Sequence, residues 1–126
     1  MGETNFADLD ALREKTRRIR CDVLWMAHLS NTGHIGGSLS CADIVAVLYF
    51  GIMKLRPEDP LWPDRDRFIL SKGHACPILY AALARRGYFQ GYGPQRLRAL
   101  GSILQGHPDM KKTPGIDMTS GSLGNG

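Results

Sequence analysis

Three histidines in this chain each follow a glycine directly. They stand in Gly33-His34-Ile35-Gly36-Gly37-Ser38, in Ser71-Lys72-Gly73-His74 and in Gly106-His107-Pro108-Asp109. An imidazole donates or accepts a hydrogen bond near neutral pH and can pass a proton to or from a substrate oxygen. A glycine beside it lets the backbone turn sharply and leaves the ring's surroundings open. A fourth glycine-rich stretch, Gly121-Ser122-Leu123-Gly124-Asn125-Gly126, closes the sequence. Together these stretches suggest a polar cleft built from loops. The remaining histidine, His28, lies inside a helical pattern and outside any such motif, so it reads as an ordinary helix residue.

The bulk properties narrow the chemistry. With 126 residues, 43% apolar and 22% charged, the chain has the composition of a globular protein with one modest core. Its longest apolar run, Ile44 to Met53, is about half the length a membrane span requires. The N-terminus lacks the basic-then-apolar pattern of a signal peptide, and a cytoplasmic location is expected. Cys21, Cys41 and Cys76 are widely spaced and odd in number, which fits reduced thiols packed as small apolar groups. They lack the paired spacing of a zinc site. The formal charge of +4 owes much to Arg13, Lys15, Arg17, Arg18 and Arg20. These interleave with an apolar stripe and lack alternating aromatic residues, so they read as the wet face of a helix and not as a nucleic-acid surface.

Next come the elements that must position the histidines. Phe6 to Leu29 reads as a long amphipathic helix, with Leu9, Leu12, Thr16, Ile19, Val23 and Met26 on one stripe. Asn5 or Thr4 would cap it, and Ser30-Asn31-Thr32-Gly33 would stop it. Ser40 with Asp43 forms a capping pattern before a helix, apolar over most of its circumference, that runs to Met53. Arg67-Phe68-Ile69-Leu70-Ser71 is a short apolar run that predicts an interior parallel strand. Ser71 to His74 would then be the strand-to-helix loop. Pro77 suits the first turn of the next helix, which ends on Arg85-Arg86 and Gly87. Pro94 to Ser102 predicts another short helix, and Leu104 to Gly126 is mostly loop.

A lone strand cannot satisfy its own donors and acceptors. A parallel sheet needs further strands reached by crossovers. The expected fold class is therefore α/β, with residues 1–126 forming the opening part of a domain whose parallel sheet is flanked by helices and is incomplete in this chain. The buried helix and strand are expected to need neighbours that the chain does not supply.

The motifs resemble those of the transketolase family. The run Gly33 to Ser40 resembles its first signature. Asp66 to Ala75, Gly106 to Asp109, and Pro114-Gly115-Ile116-Asp117 leading to Gly121-Ser122-Leu123-Gly124 follow in matching order and spacing. The likeness runs from the first helix onward and is greatest to the N-terminal, diphosphate-binding subunit of members split into two polypeptides. It implies a thiamine diphosphate enzyme that moves a two-carbon ketol unit between sugar phosphates, as in the pentose phosphate pathway.

By the same resemblance, His34 would touch the substrate and assist proton movement. His74 would lie beside the cofactor's diphosphate and the substrate, and His107 would contact the donor's terminal hydroxyl. Gly121, Ser122 and Leu123 would approach the cofactor. Magnesium would accompany the diphosphate, but the family's Gly-Asp-Gly metal segment is absent. Asp109 and Asp117 offer carboxylates outside that motif, so no metal ligand is assigned in this chain. The resemblance further implies a C-terminal transketolase subunit, or the remainder of the enzyme, as partner in a homodimer or heterotetramer, with neither nucleic acid nor membrane as a partner. The chain alone is expected to be inactive. The alternatives are a ketol transferase for a different sugar and a non-catalytic interaction module. Ile35 and Ser122 stand where many single-chain members carry proline, and Asn125 where glutamine is usual.

Overall fold

In a computed structural model, the described residues are 8–31, 35–91, 93 and 96–124. Four α-helices form the frame: α1 (Leu9–Ser30), α2 (Gly36–Ser40), α3 (Ala42–Val47) and α4 (Cys76–Arg86). A π-helical turn, Leu48–Ile52, extends α3, and a 3₁₀ turn, Gly73–Ala75, leads into α4.

Helix α1 forms where the apolar stripe predicts it, and Ile19, Val23 and Met26 are its buried face. The proposed caps Asn5 and Thr4, and Phe6, lie outside the described residues. Asp8 caps the helix instead, its carboxylate accepting from the Ala11 amide at 3.1 Å. Asn31 stops it in the left-handed conformation, φ 53°. Helix α4 is the centre of the core. Seven of its residues, from Cys76 to Leu83, are buried, so both its flanks are covered. Pro77 sits in the first turn and Gly87, at φ 96°, closes the helix and satisfies the Leu83 and Ala84 carbonyls. Helix α1 packs across α4 and α3, with Asp22 bridging Arg85 at 2.7 Å.

Three expectations need correction. The helix expected after Ser40 does run on, from Ala42 through the π turn to Ile52, but its cap and its burial differ from expectation. Helix α2 already occupies Gly36–Ser40, and Ser40 turns its hydroxyl back to the Gly37 carbonyl instead of capping α3. Beyond Val47 the backbone widens into the π turn, and Ile44 and Ile52 remain 62% and 51% exposed, so this helix is not buried all round. The short helix expected over Pro94 to Ser102 does not form among the described residues 96–102, which make successive turns. Arg98 there has φ 58° and Gly101 φ 75°, values that no right-handed helix contains.

The third correction concerns the strand. No strand forms among the described residues, so the parallel sheet expected of the chain is not seen. The reason lies in the hydrogen bonding. Backbone groups of the 67–71 run pair with side chains: the Phe68 amide donates to Asp117 Oδ2 at 2.9 Å, and the Leu70 carbonyl accepts from Ser120 Oγ at 2.5 Å. The run has no ladder partner among the described residues, and side chains take the place of one at the Phe68 amide and the Leu70 carbonyl. Its side chains divide accordingly, with Leu70 buried and Ile69 52% exposed.

Candidate active site

The first two glycine–histidine motifs are stitched together by Lys72. Its ammonium donates to the Gly37 carbonyl at 2.8 Å and to Ser40 Oγ at 3.0 Å. Ser38, fully buried, donates its hydroxyl to the Ala75 carbonyl at 3.2 Å. These bonds press α2 against the 3₁₀ turn that carries His74. A Cβ on Gly37 would stand 3.6 Å from His74 Nε2, so the imidazole lies against the glycine face of the first motif. His34 itself lies outside the described residues.

The second and fourth motifs touch through backbone. A Cβ on Gly73 would come within 2.6 Å of Gly121 Cα and 2.8 Å of the Ser120 carbonyl carbon. No side chain fits between these two stretches of main chain. Gly121 has φ 132°, a conformation side chains rarely adopt, and a Cβ placed on it would run into the His107 ring. His74, the Gly73–Gly121 contact and His107 are therefore consecutive neighbours. Both imidazoles are exposed, and Ser122 and Leu123 continue from Gly121 as exposed residues, Leu123 at 55%.

The loop segments are held from below. Tyr80 and Cys76 on α4 reach the carbonyls of residues 105–107. Thr113 donates to the Ile103 carbonyl at 2.5 Å, and the Ser120 amide donates to the Pro108 carbonyl at 3.3 Å. Asp117 accepts from Arg65 Nε at 3.0 Å as well as from Phe68, and this ion pair is nearly closed to water, at 13% and 7% exposure. Asp109 is likewise occupied, its Oδ1 accepting from the Lys111 amide at 2.8 Å. Burial pushes the Cys76 thiol up to about 11 and the Tyr80 phenol far above its ordinary value, so both groups stay protonated and donate.

Residues 12–126 match the model of the transketolase thiamine diphosphate binding domain. The chain belongs to the transketolase family. Among the curated relatives of this chain is the 6-deoxy-6-sulfo-D-fructose transketolase subunit SqwG of Clostridium sp. (strain MSTE9), 55% identical over 75% of the chain and 34% of the relative. One of the subunits of the apulose-4-phosphate transketolase of Phocaeicola vulgatus is 40% identical over 94% of the chain and 41% of its own length. Human transketolase is 41% identical over 94% of the chain and 19% of its own. The transketolase of Campylobacter jejuni superposes with a TM-score of 0.85 at 34% identity, covering 93% of this chain and 18% of that one. The chain thus spans about a third to two fifths of the subunit relatives and under a fifth of human transketolase.

Of the site residues read from the sequence, the structure brings His74, His107 and Gly121 together, with Ser122 and Leu123 directly following. Lys72, Asp117 and Ser38 belong to the quoted motifs or adjoin them, but no role was legible for them. Tyr80 belongs to no motif, yet it carries a signal: it is the lone hydroxyl inside the apolar run Ile78 to Leu83, and a buried phenol must find a partner. Among the described residues no group of three or more His, Cys, Asp or Glu side chains could hold a metal ion. No helix among them is long and apolar enough to cross a membrane.

The fit to thiamine diphosphate can be judged on the site's own shape. The open backbone is at Gly36, which is exposed with nothing within 4 Å of where a Cβ would stand, and His74, His107 and Ser122 are exposed around the closed Gly73–Gly121 contact. His74 stands at the start of a continuous helical run from Gly73 to Arg86, whose N-terminal end favours anions. The helix start and the exposed imidazoles suit the anionic diphosphate of that cofactor.

Proposed function

We propose that this chain is the N-terminal part of the cofactor-binding half of a split transketolase, which transfers a two-carbon ketol unit between sugar phosphates. The observation that carries the reading is the convergence of His74 and His107 across the Gly73–Gly121 backbone contact, in a chain that matches the family's diphosphate-binding domain. In this reading His74, Gly121, Ser122 and Leu123 hold thiamine diphosphate, with magnesium ligated by residues beyond this chain. The cofactor, when bound, supplies carbanion stabilisation. His74 donates hydrogen bonds to anionic oxygens at the helix start. His107 holds the donor's terminal hydroxyl, and His34 joins them in moving a proton at the reacting hydroxyl. The closed Asp117–Arg65 pair keeps the loop beneath these imidazoles in place. The partner is the C-terminal subunit, in a cytoplasmic dimer or heterotetramer, and the chain alone is inactive.

A second reading concerns the donor. The 55% identity to the Clostridium subunit favours a ketose whose terminal anion is a sulfonate over a phosphate. Steady-state assays of the assembled protein with both donor classes test the two readings together. Ketol transfer is expected, and His74→Ala and His107→Ala each lower it about 10²–10⁴-fold. His28→Ala leaves it unchanged. Equal, mild losses at all three positions would count against the proposal. Calorimetric titration checks the cofactor: tight, magnesium-dependent binding by the 126-residue chain alone would contradict the expected need for the rest of the site.

A further inference from the structure

The histidine loop after Gly106 is grasped from the helix beneath it. Tyr80, wholly buried, donates its phenolic proton to the Gln105 carbonyl at 2.7 Å, with the His107 carbonyl a second acceptor at 3.2 Å. Cys76 lies four residues earlier on the same face of α4. Its thiol reaches the Gly106 carbonyl at 3.2 Å and the Gln105 carbonyl at 3.7 Å. Two adjacent side chains thus receive three successive carbonyls, those of residues 105, 106 and 107. A further side chain packs against the loop. The Arg98 guanidinium lies across Gly106, 3.1 Å from where a Cβ would stand.

The grip falls on the backbone that carries the imidazole. The His107 side chain itself is exposed and rests against Gly121. Its ring position is therefore set by main-chain anchors, and the strongest of these is the Tyr80 hydroxyl. Both donors are buried on α4, the most enclosed element of the molecule, so the loop inherits the rigidity of the core. A catalytic group displaced by about 1 Å can lose much of its effect, and anchors of this kind govern such displacements.

We propose that Tyr80, aided by Cys76, is a positioning residue for His107, holding the three carbonyls so that the imidazole is presented at one point over Gly121. The proposal rests on the reading that His107 meets the donor sugar. Its contact with substrate is made through His107 and not by the phenol.

The test uses the full chain assembled with its cofactor and partner subunit, with Tyr80→Phe and Cys76→Ala. Histidine carbethoxylation by diethyl pyrocarbonate, followed by peptide mass spectrometry, reads each imidazole separately. Donor and acceptor kinetics are measured alongside. In Tyr80→Phe the carbethoxylation rate at His107 is expected to change several-fold while His28 is unmoved. The donor KM should rise about 5–10-fold, the equivalent of one net hydrogen bond, with the acceptor KM constant. Cys76→Ala should move both quantities in the same direction by less. Unchanged His107 labelling in a folded Tyr80→Phe protein overturns the proposal. So does an equal change at every histidine, or a lowered melting temperature with all kinetic constants preserved. If Tyr80→Phe does not fold, unmoved His107 labelling in soluble Cys76→Ala overturns it instead. If the wild-type assembly transfers no ketol unit, the proposed function fails, while the labelling pattern still decides the positioning role.

Discussion

Helix α4 and the segment from Ser102 to Gly121 are built by opposite means. Helix α4 is held by apolar burial: Ile78, Tyr80, Ala82 and Leu83 are wholly enclosed. The later segment has few enclosed apolar side chains, chiefly Leu104 and Ile116, and exposes Met110 and Met118. It is held by side chains that satisfy backbone groups, many of them distant in sequence. Asp117 reaches Phe68, Ser120 reaches Leu70, Thr113 reaches Ile103, and Tyr80 reaches Gln105. Burial is nondirectional and fixes an element as a whole. Hydrogen bonds are directional and fix individual atoms. The residues that would perform chemistry stand where the second kind of restraint begins.

The sharpest way to break the loop region alone is Asp117→Ala in the assembled protein. It leaves Arg65 nearly buried without its counter-charge and strips the Phe68 amide of its acceptor. Removing one partner of a buried pair costs about 3–5 kcal/mol. The expected outcome is a loss of that size in denaturant unfolding, with amides after Asp117 exchanging faster than those of α4. Uniform acceleration across α4 would erase the distinction between the two regions.

Leu83→Ala attacks the other side. Leu83 is wholly buried, and its Cδ2 lies 2.7 Å from where a Cβ on Gly115 would stand, so the loop rests on it. A Leu→Ala cavity costs about 2–5 kcal/mol. Stability should fall across α1 and α4 together, as seen by circular dichroism and by hydrogen exchange. A loss confined to the loop would show that the helices do not depend on this packing.

Gly73→Ala tests the backbone contact. The added Cβ would strike the Gly121 main chain, which cannot yield as a flexible side chain would. The helices should keep their circular dichroism while ketol transfer falls about 10²-fold, the expected result of an ångström-scale displacement. Full activity in this variant would show that the contact is incidental.

What the sequence disclosed divides along the same line. Helix α1 was legible because Ile19, Val23 and Met26 recur at helical spacing, and α4 because Pro77 opens it and Arg85, Arg86 and Gly87 close it. The identities of His74, His107 and Gly121 were legible from motifs that resemble a family. Their mutual placement was not, because it depends on contacts between residues far apart in the chain, such as Gly73 with Gly121 and Leu70 with Ser120. The strand expected at Phe68 to Leu70 failed for a related reason. An apolar run specifies burial but not the partner for its amides, and here Asp117 supplies one partner where a neighbouring strand was expected. The π turn at Leu48–Ile52 left no mark in a pattern that was apolar on most sides.

The smallest expected effect lies on the outer face of α1, where neither kind of restraint operates strongly. Glu14 accepts from Arg17 at 2.7 Å and from Arg18 at 3.0 Å. The hydrogen bond from Arg17, then that from Arg18, lowers its carboxyl from 4.5 to about 2. A lowered folded-state value means the carboxylate supports the helix above about pH 4.5, and that support fades as pH falls toward about 2. All three side chains are well exposed, at 44%, 62% and 53%, so water and salt screen the cluster. Glu14→Gln should therefore leave stability at pH 7 nearly unchanged, as expected of an exposed and screened helix pair. Carbon-detected NMR titration of the Glu14 carboxyl should still show its midpoint well below that of an ordinary glutamate. A midpoint near 4.5 would mean the two arginines do not hold Glu14 in solution. A low midpoint with a large stability loss in Glu14→Gln would mean that surface charge holds α1 to the core, a task here assigned to Ile19, Val23 and Met26.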